Sequence, residues 1–115
     1  MTENQGKVPE DAAMISFGII ASAGTARSCA FEALAAAQKG DFDRADAMLA
    51  AASEAALSAH HVQTGLLSKE ASGEHTPVDV MLVHAQDHLM TAMLAQDLIK
   101  GMVELHKQIA ELKSQ

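Results

Sequence analysis

Apolar residues recur at three-and-four spacing from Met14 almost to the end of the chain. The first run is Met14, Phe17, Ile20 (or Ala21), Gly24, Cys29 (or Ser28), Phe31 and Leu34, near the 3.6-residue period of a helix with one buried face. It predicts a first helix that opens at Pro9-Glu10-Asp11, with Asp11 a candidate cap. The helix closes at Lys39-Gly40, a cationic last turn before a glycine suited to the left-handed position. Gly18 and Gly24 interrupt it and predict close packing against a neighbour. Asp41 caps a second helix from about Asp43 to Glu70, with Phe42 filling the hairpin corner. Its inner side reads Ala45, Leu49 (or Met48), Ala52, Ala56, Ala59, Val62 (or Gln63) and Leu66. Residues 72–77 form the one real loop, and a third helix runs from near Asp79 to about Lys113.

Helices of roughly 28 to 35 residues are about 42 to 52 Å long. A compact globule of this chain length would have a radius of gyration of only about 13 Å. The expected fold is therefore all-α: an elongated, antiparallel, up-down-up three-helix bundle, with short links joining antiparallel neighbours. Residues 1–10 read as a flexible polar tail and residues 11–115 as a single domain.

The third helix carries more apolar surface than two neighbours can cover. One seam reads Met81, His84, His88, Thr91, Ala95, Leu98, Met102, Leu105, Ile109 and Leu112. A second reads Val80, Val83, Asp87, Met90 and Leu94, and a third contains Leu82, Leu89, Met93 and Val103. Three stripes predict a coiled-coil-like contact between copies of the chain.

Composition sharpens that expectation. The 115 residues are 49% hydrophobic, yet the only aromatics are 3 Phe. A core built from Ala and Met buries little area per side chain, so a lone monomer looks underfilled. The net charge is −7, and the basic residues are scattered singly. Nucleic acid and anionic membrane surfaces are thus excluded as partners. No apolar stretch reads as long and uncharged enough to span a membrane, and the N-terminus shows no signal pattern. The single Cys29 excludes an internal disulfide, fits a reducing cytoplasm and reads as a small buried apolar residue.

Chemistry concentrates in one turn, Val83-His84-Ala85-Gln86-Asp87-His88-Leu89-Met90. His84 and His88 are four apart and share a side of the helix. Asp87 is offset from His84 by about 60° and flanked by apolar residues, where a carboxylate must be paired, protonated or metal-bound. The residues alone leave three readings open. The cluster is incidental; it is a metal site with His-x-x-x-His spacing and Asp87 as an oxygen ligand; or a neutral imidazole acts as nucleophile, with the other histidine and Gln86 as hydrogen-bonding partners.

The uninterrupted HAQDHLM at His84 to Met90 resembles the signature of the lactose/cellobiose-type IIA components of the bacterial phosphoenolpyruvate-dependent sugar phosphotransferase system. Three further segments agree in order and spacing: IIASAGTARS at Ile19 to Ser28, GDFDRADAM at Gly40 to Met48, and AHHVQTGLLSKEASGE at Ala59 to Glu74. The resemblance covers about Met14 to His106.

That resemblance implies a phosphocarrier. His84 would accept a phosphoryl group from the carrier protein HPr, hold it on Nε2 and pass it to a Cys of the partner IIB component. The membrane IIC component moves and phosphorylates the sugar, so this chain has no turnover of its own on sugar and no insertion in the membrane. The implied assembly is a homotrimer, a nine-helix bundle with sites between subunits. There Asp87 from three subunits would share one magnesium ion on the axis. Hard oxygen ligands suit magnesium, and the ion would compensate charge and not catalyse. His88 and Gln86 are then supporting residues or partner contacts, and the location is cytoplasmic.

Other residues carry less weight. His60 could approach the site from another helix or be a satisfied surface histidine. Arg27 is a phosphate contact or a helix-to-helix ion pair. Met81, Met90 and Met93 are a docking surface or core, and His61, His75 and His106 read as solvated. The alanine of HAQDH resembles the cellobiose and N,N′-diacetylchitobiose members more than the lactose ones, whereas GLLSKEASGE resembles the lactose type. The rival class is a non-enzymatic helical oligomerisation module with a His/Asp metal site.

Overall fold

A computed structural model describes residues 10–115, so most of the expected tail lies outside the described residues. Three helices follow in order, α1 (Glu10–Gln38), α2 (Phe42–Ala71) and α3 (Val80–Lys113). The radius of gyration is 18.4 Å, well above the roughly 13 Å of a compact chain of this length. Both α2 and α3 pack extensively on α1 and much less on each other.

Local chemistry sets the boundaries. Gly40 takes φ 82° and ends α1, with the Asp41 N–H donating to the Ala36 carbonyl at 2.9 Å, a closure that needs the left-handed region. The Asp41 carboxylate then accepts from the Arg44 N–H at 3.2 Å, capping α2. Phe42 is the first residue of α2, not part of a separate corner, and rests half-buried against the core. At the other end the Asp79 carboxylate accepts from the Leu82 N–H at 2.8 Å and caps α3.

The core is mostly alanine. Near the α1–α2 corner Ala30, Ala33, Ala36 and Ala37 pack with Ala45, Ala52, Ile99 and Val103. Towards the α2–α3 loop Ile19 and Ala23 meet Ala59, Ala85, Leu89 and Ala92. Small side chains let the helix axes approach closely, so that contact area compensates for the missing rings. Cys29 is half-buried against the first of these clusters, as a small apolar residue would be.

Three expectations need correction. The face of α1 that is buried is Ser16, Ile19, Ala23, Ala26, Ala30, Ala33 and Ala37, while Met14, Phe17 and Phe31 are 66%, 54% and 47% exposed. The larger side chains mark the outside of the single chain, because only alanines fit between the helices. Gly18 and Gly24 do not mark close packing within the chain: a Cβ added at either would meet nothing within 4 Å. Finally, Asp11–Gln38 is long and apolar enough by length and composition to cross a membrane. In this fold it is the helix against which both others pack, and its alanine stripe supplies much of the core.

On α3 only the third of the predicted seams is core, with Leu89 and Val103 at 0% and 1% exposure. Val80, Val83, Met90, Leu94, Leu98, Met102, Leu105, Ile109 and Leu112 are all exposed. One helix thus carries an uncovered apolar face along its whole length.

Candidate functional site

The residues of the HAQDH turn leave α3 in three directions, as about 100° per residue dictates. His84 is exposed and His88 half-buried. Their rings meet edge to face, with centroids 4.8 Å apart and planes at 74°. The shared helix side expected from the spacing is therefore real, and it leaves the His84 ring open to a partner. Thr91, one turn on, donates its hydroxyl to the Asp87 carbonyl at 2.8 Å and to the His88 carbonyl at 3.2 Å. The hydroxyl is thereby tied to its own helix.

Asp87 is exposed in the single chain. It stands among the uncovered residues Val83, Met90 and Leu94, so the burial that would force it to find a partner does not arise within one copy. Among the described residues no group of three His, Cys, Asp or Glu side chains is placed to hold a metal ion. A resident cation would need the carboxylates of other copies. Asp87 would offer one hard oxygen donor to such an ion, near the N-terminal end of the apolar face.

Gln86 points elsewhere. It is half-buried on the α2 side of α3, and its Oε1 accepts a hydrogen bond from Gln63 Nε2. Gln63 Nε2 also lies 3.7 Å from Met90 Sδ, which gives both amide hydrogens a direction. A groove of about 260 Å³ runs past Gln86, lined also by Leu66, Leu67, Glu70, Thr76, Val78 and Leu82. Gln86 is about 200° around the helix from His84 and does not share its side. Gln63 stood in the sequence only as an alternative inner-side position of α2. The available signal was a polar amide at a place where that helix otherwise presents apolar groups.

The remaining candidates divide clearly. His60 lines a groove with Leu57, Met93, Gln96 and Asp97, on the α2 side and away from His84. Arg27 lies over the Phe31 ring at 5.5 Å, where a cation–π contact replaces the expected ion pair. His75 is paired with Glu70 through Nδ1 and Oε2, and is not simply solvated. This hydrogen bond holds the Glu70 carboxyl below its usual range. His61 is exposed and His106 half-buried. Met90 is exposed, whereas Met81 and Met93 are half-buried, Met93 against the core.

Residues 14–107 match the family model described as the lactose/cellobiose-specific IIA subunit of the phosphotransferase system. The lactose-specific EIIA component of Streptococcus mutans serotype c is 50% identical over 99 residues, covering 86% of this chain and 95% of that protein. The crystal structure of the cellobiose-specific enzyme IIA from Bacillus anthracis aligns with TM-score 0.82 and 43% identity, over 85% of this chain and 90% of that one. The IIA(chitobiose) of Escherichia coli, solved in complex with HPr, aligns with TM-score 0.73 and 43% identity over 84% and 94%. These likenesses divide between lactose, cellobiose and chitobiose; what they have in common is the component and not the sugar.

Proposed function

This chain belongs to the lactose/cellobiose-specific IIA family of the phosphotransferase system, and from that premise we propose that it is a cytoplasmic phosphocarrier working through His84. The observation that carries the reading is the exposed imidazole of His84 in the HAQDH turn, braced on one side by His88.

Phospho-HPr is the proposed donor, in keeping with the HPr complex of the chitobiose relative. The neutral His84 Nε2 attacks the phosphorus in line, and the N–P bond of the donor breaks as the new one forms. A labile N–P bond asks for positioning and little covalent help. The second transfer moves the group to a Cys of IIB, and His84 returns to its neutral state. His88 orients the His84 ring and does not carry phosphate.

The working unit is a homotrimer of three-helix subunits. Supporting it is the uncovered α3 face, where Val80, Val83, Asp87, Met90, Leu94, Leu98, Met102, Leu105, Ile109 and Leu112 follow one another at three- and four-residue steps. Such a seam buries itself around a symmetry axis. Three Asp87 carboxylates then converge, and one magnesium ion held between them would supply charge compensation near a phosphoryl dianion.

Incubation with phosphoenolpyruvate, the general phosphotransferase enzyme and HPr tests the reading. Acid-labile phosphate is expected on the wild type and absent from His84→Gln. An oligomer that takes no phosphate under these conditions is the oligomerisation module instead.

A further inference from the structure

Arg27 is the only Lys, Arg, Asp or Glu on α1 between Asp11 and Glu32, and Asp97 the only one on α3 between Asp87 and Lys100. Both are exposed, and among the described residues neither has an ion-pair partner within the subunit. Their positions put them on opposite flanks. Thr25, on the α2 side of α1 in a groove with Ala51 and Glu54, is about 160° around that helix from Arg27, which therefore lies on the α3 side. Asp97 is on the other side of the subunit, in a groove of about 310 Å³ where α2 and α3 pack sparsely. The heights agree as well. Ile19 and Ala23 pack at the level of Ala85, Leu89 and Ala92, and Ala30 and Ala33 at that of Ile99 and Val103. Arg27 thus stands near the level of Ala95, within one helical turn of Asp97 along the bundle.

We propose that Arg27 of one subunit forms an ion pair with Asp97 of the next, and that this pair fixes which flanks meet when the chain assembles. The inference rests on the trimer proposed above. With the exposed seam of α3 facing the axis of a closed ring, every contact is heterologous, one flank of each subunit against the opposite flank of its neighbour. Rotation about the axis changes no heights, so the flank with Arg27 meets the flank with Asp97 at a matching level. The guanidinium is prepared for that role. Lying over the Phe31 ring at 5.5 Å, it is held by its face and keeps its N–H edge for a carboxylate. The pair also answers a need, since subunits of net charge −7 repel one another. The apolar seam alone does not choose between flanks, because hydrophobic contact is non-directional.

Charge reversal, read by sedimentation of the whole chain, tests this. Arg27→Glu and Asp97→Arg each set like charges against one another at every contact of the ring. Each should raise the protein concentration at half-dissociation by about tenfold or more. The double variant Arg27→Glu/Asp97→Arg restores the pairing and should return close to wild type. Mixing the two single variants should recover assembly in part, because two of the three contacts in a mixed ring are then matched. No recovery on mixing would place the pair within one subunit and overturn the proposal. Single variants as stable as wild type, or a double variant no better than the worse single one, likewise overturn the ion pair and leave the trimer standing. Sedimentation of the wild type as a monomer overturns the trimer and this proposal together.

Discussion

The imidazole of His88 lies edge to face against that of His84, their centroids 4.8 Å apart, and His84 is exposed whereas His88 is half-buried. In the proposed relay His84 reacts and His88 orients it. His88→Ala should therefore still take phosphate at His84, with transfer slowed by about ten- to a hundredfold through lost orientation. Quenched-flow measurement with phospho-HPr reads this directly; an abolished reaction would make His88 part of the chemistry.

Asp87 is a charge on an otherwise apolar face. If three copies are buried around an axis, Asp87→Leu removes a costly group. Trimer stability should stay level or rise by about 1–4 kcal/mol, with loss of bound magnesium. Sedimentation equilibrium and metal analysis of the purified variant check both halves. A variant that dissociates but binds metal as before contradicts the axial placement.

The apolar part of the seam makes the opposite prediction. Leu105 is 58% exposed in the single chain, so Leu105→Lys should leave the helices of the isolated subunit intact. It should split the assembly, because a lysine cannot be buried unpaired. Far-UV circular dichroism after dissociation, alongside sedimentation velocity, separates the two effects.

Within the subunit the sensitive positions are alanines. Ala33 is fully buried where helices meet on small side chains, so Ala33→Leu should overpack the contact and cost about 1–3 kcal/mol. Urea unfolding at fixed protein concentration measures it. Phe31, four-tenths exposed or more, should tolerate Leu far better.

That contrast shows where the sequence could be read and where it could not. Caps and turns are local chemistry, and Asp41, Gly40 and Asp79 fall where their side chains or missing Cβ predict. The His84–His88 pairing follows from helical spacing alone. The buried face of α1 does not, because hydropathy weights Met14, Phe17 and Phe31 above alanine. The better signal was Ile19, Ala23, Ala26, Ala30, Ala33 and Ala37, an unbroken four-three-four-three-four pattern of small residues. The direction of Gln86 was also illegible, since it depends on Gln63 from a helix distant in sequence.

Below neutral pH the α2–α3 corner should respond to one pair. Glu70 has its carboxyl held below the ordinary value of 4.5, chiefly by the His75 hydrogen bond. A depressed carboxyl contributes stability above its unfolded value, and this is lost as pH falls through the lower folded value. The pair is exposed, so the effect is small. Glu70→Gln should flatten this part of the stability profile between pH 5 and 3, read by thermal unfolding at each pH.

The central claim is that phosphate resides on His84, one of six histidines. Mass-spectrometric localisation on protein charged by phospho-HPr, under fragmentation that spares the N–P bond, tests it most directly. The account predicts phosphate on His84 alone, whereas phosphate on His88 or His60 with His84 unmodified would contradict it.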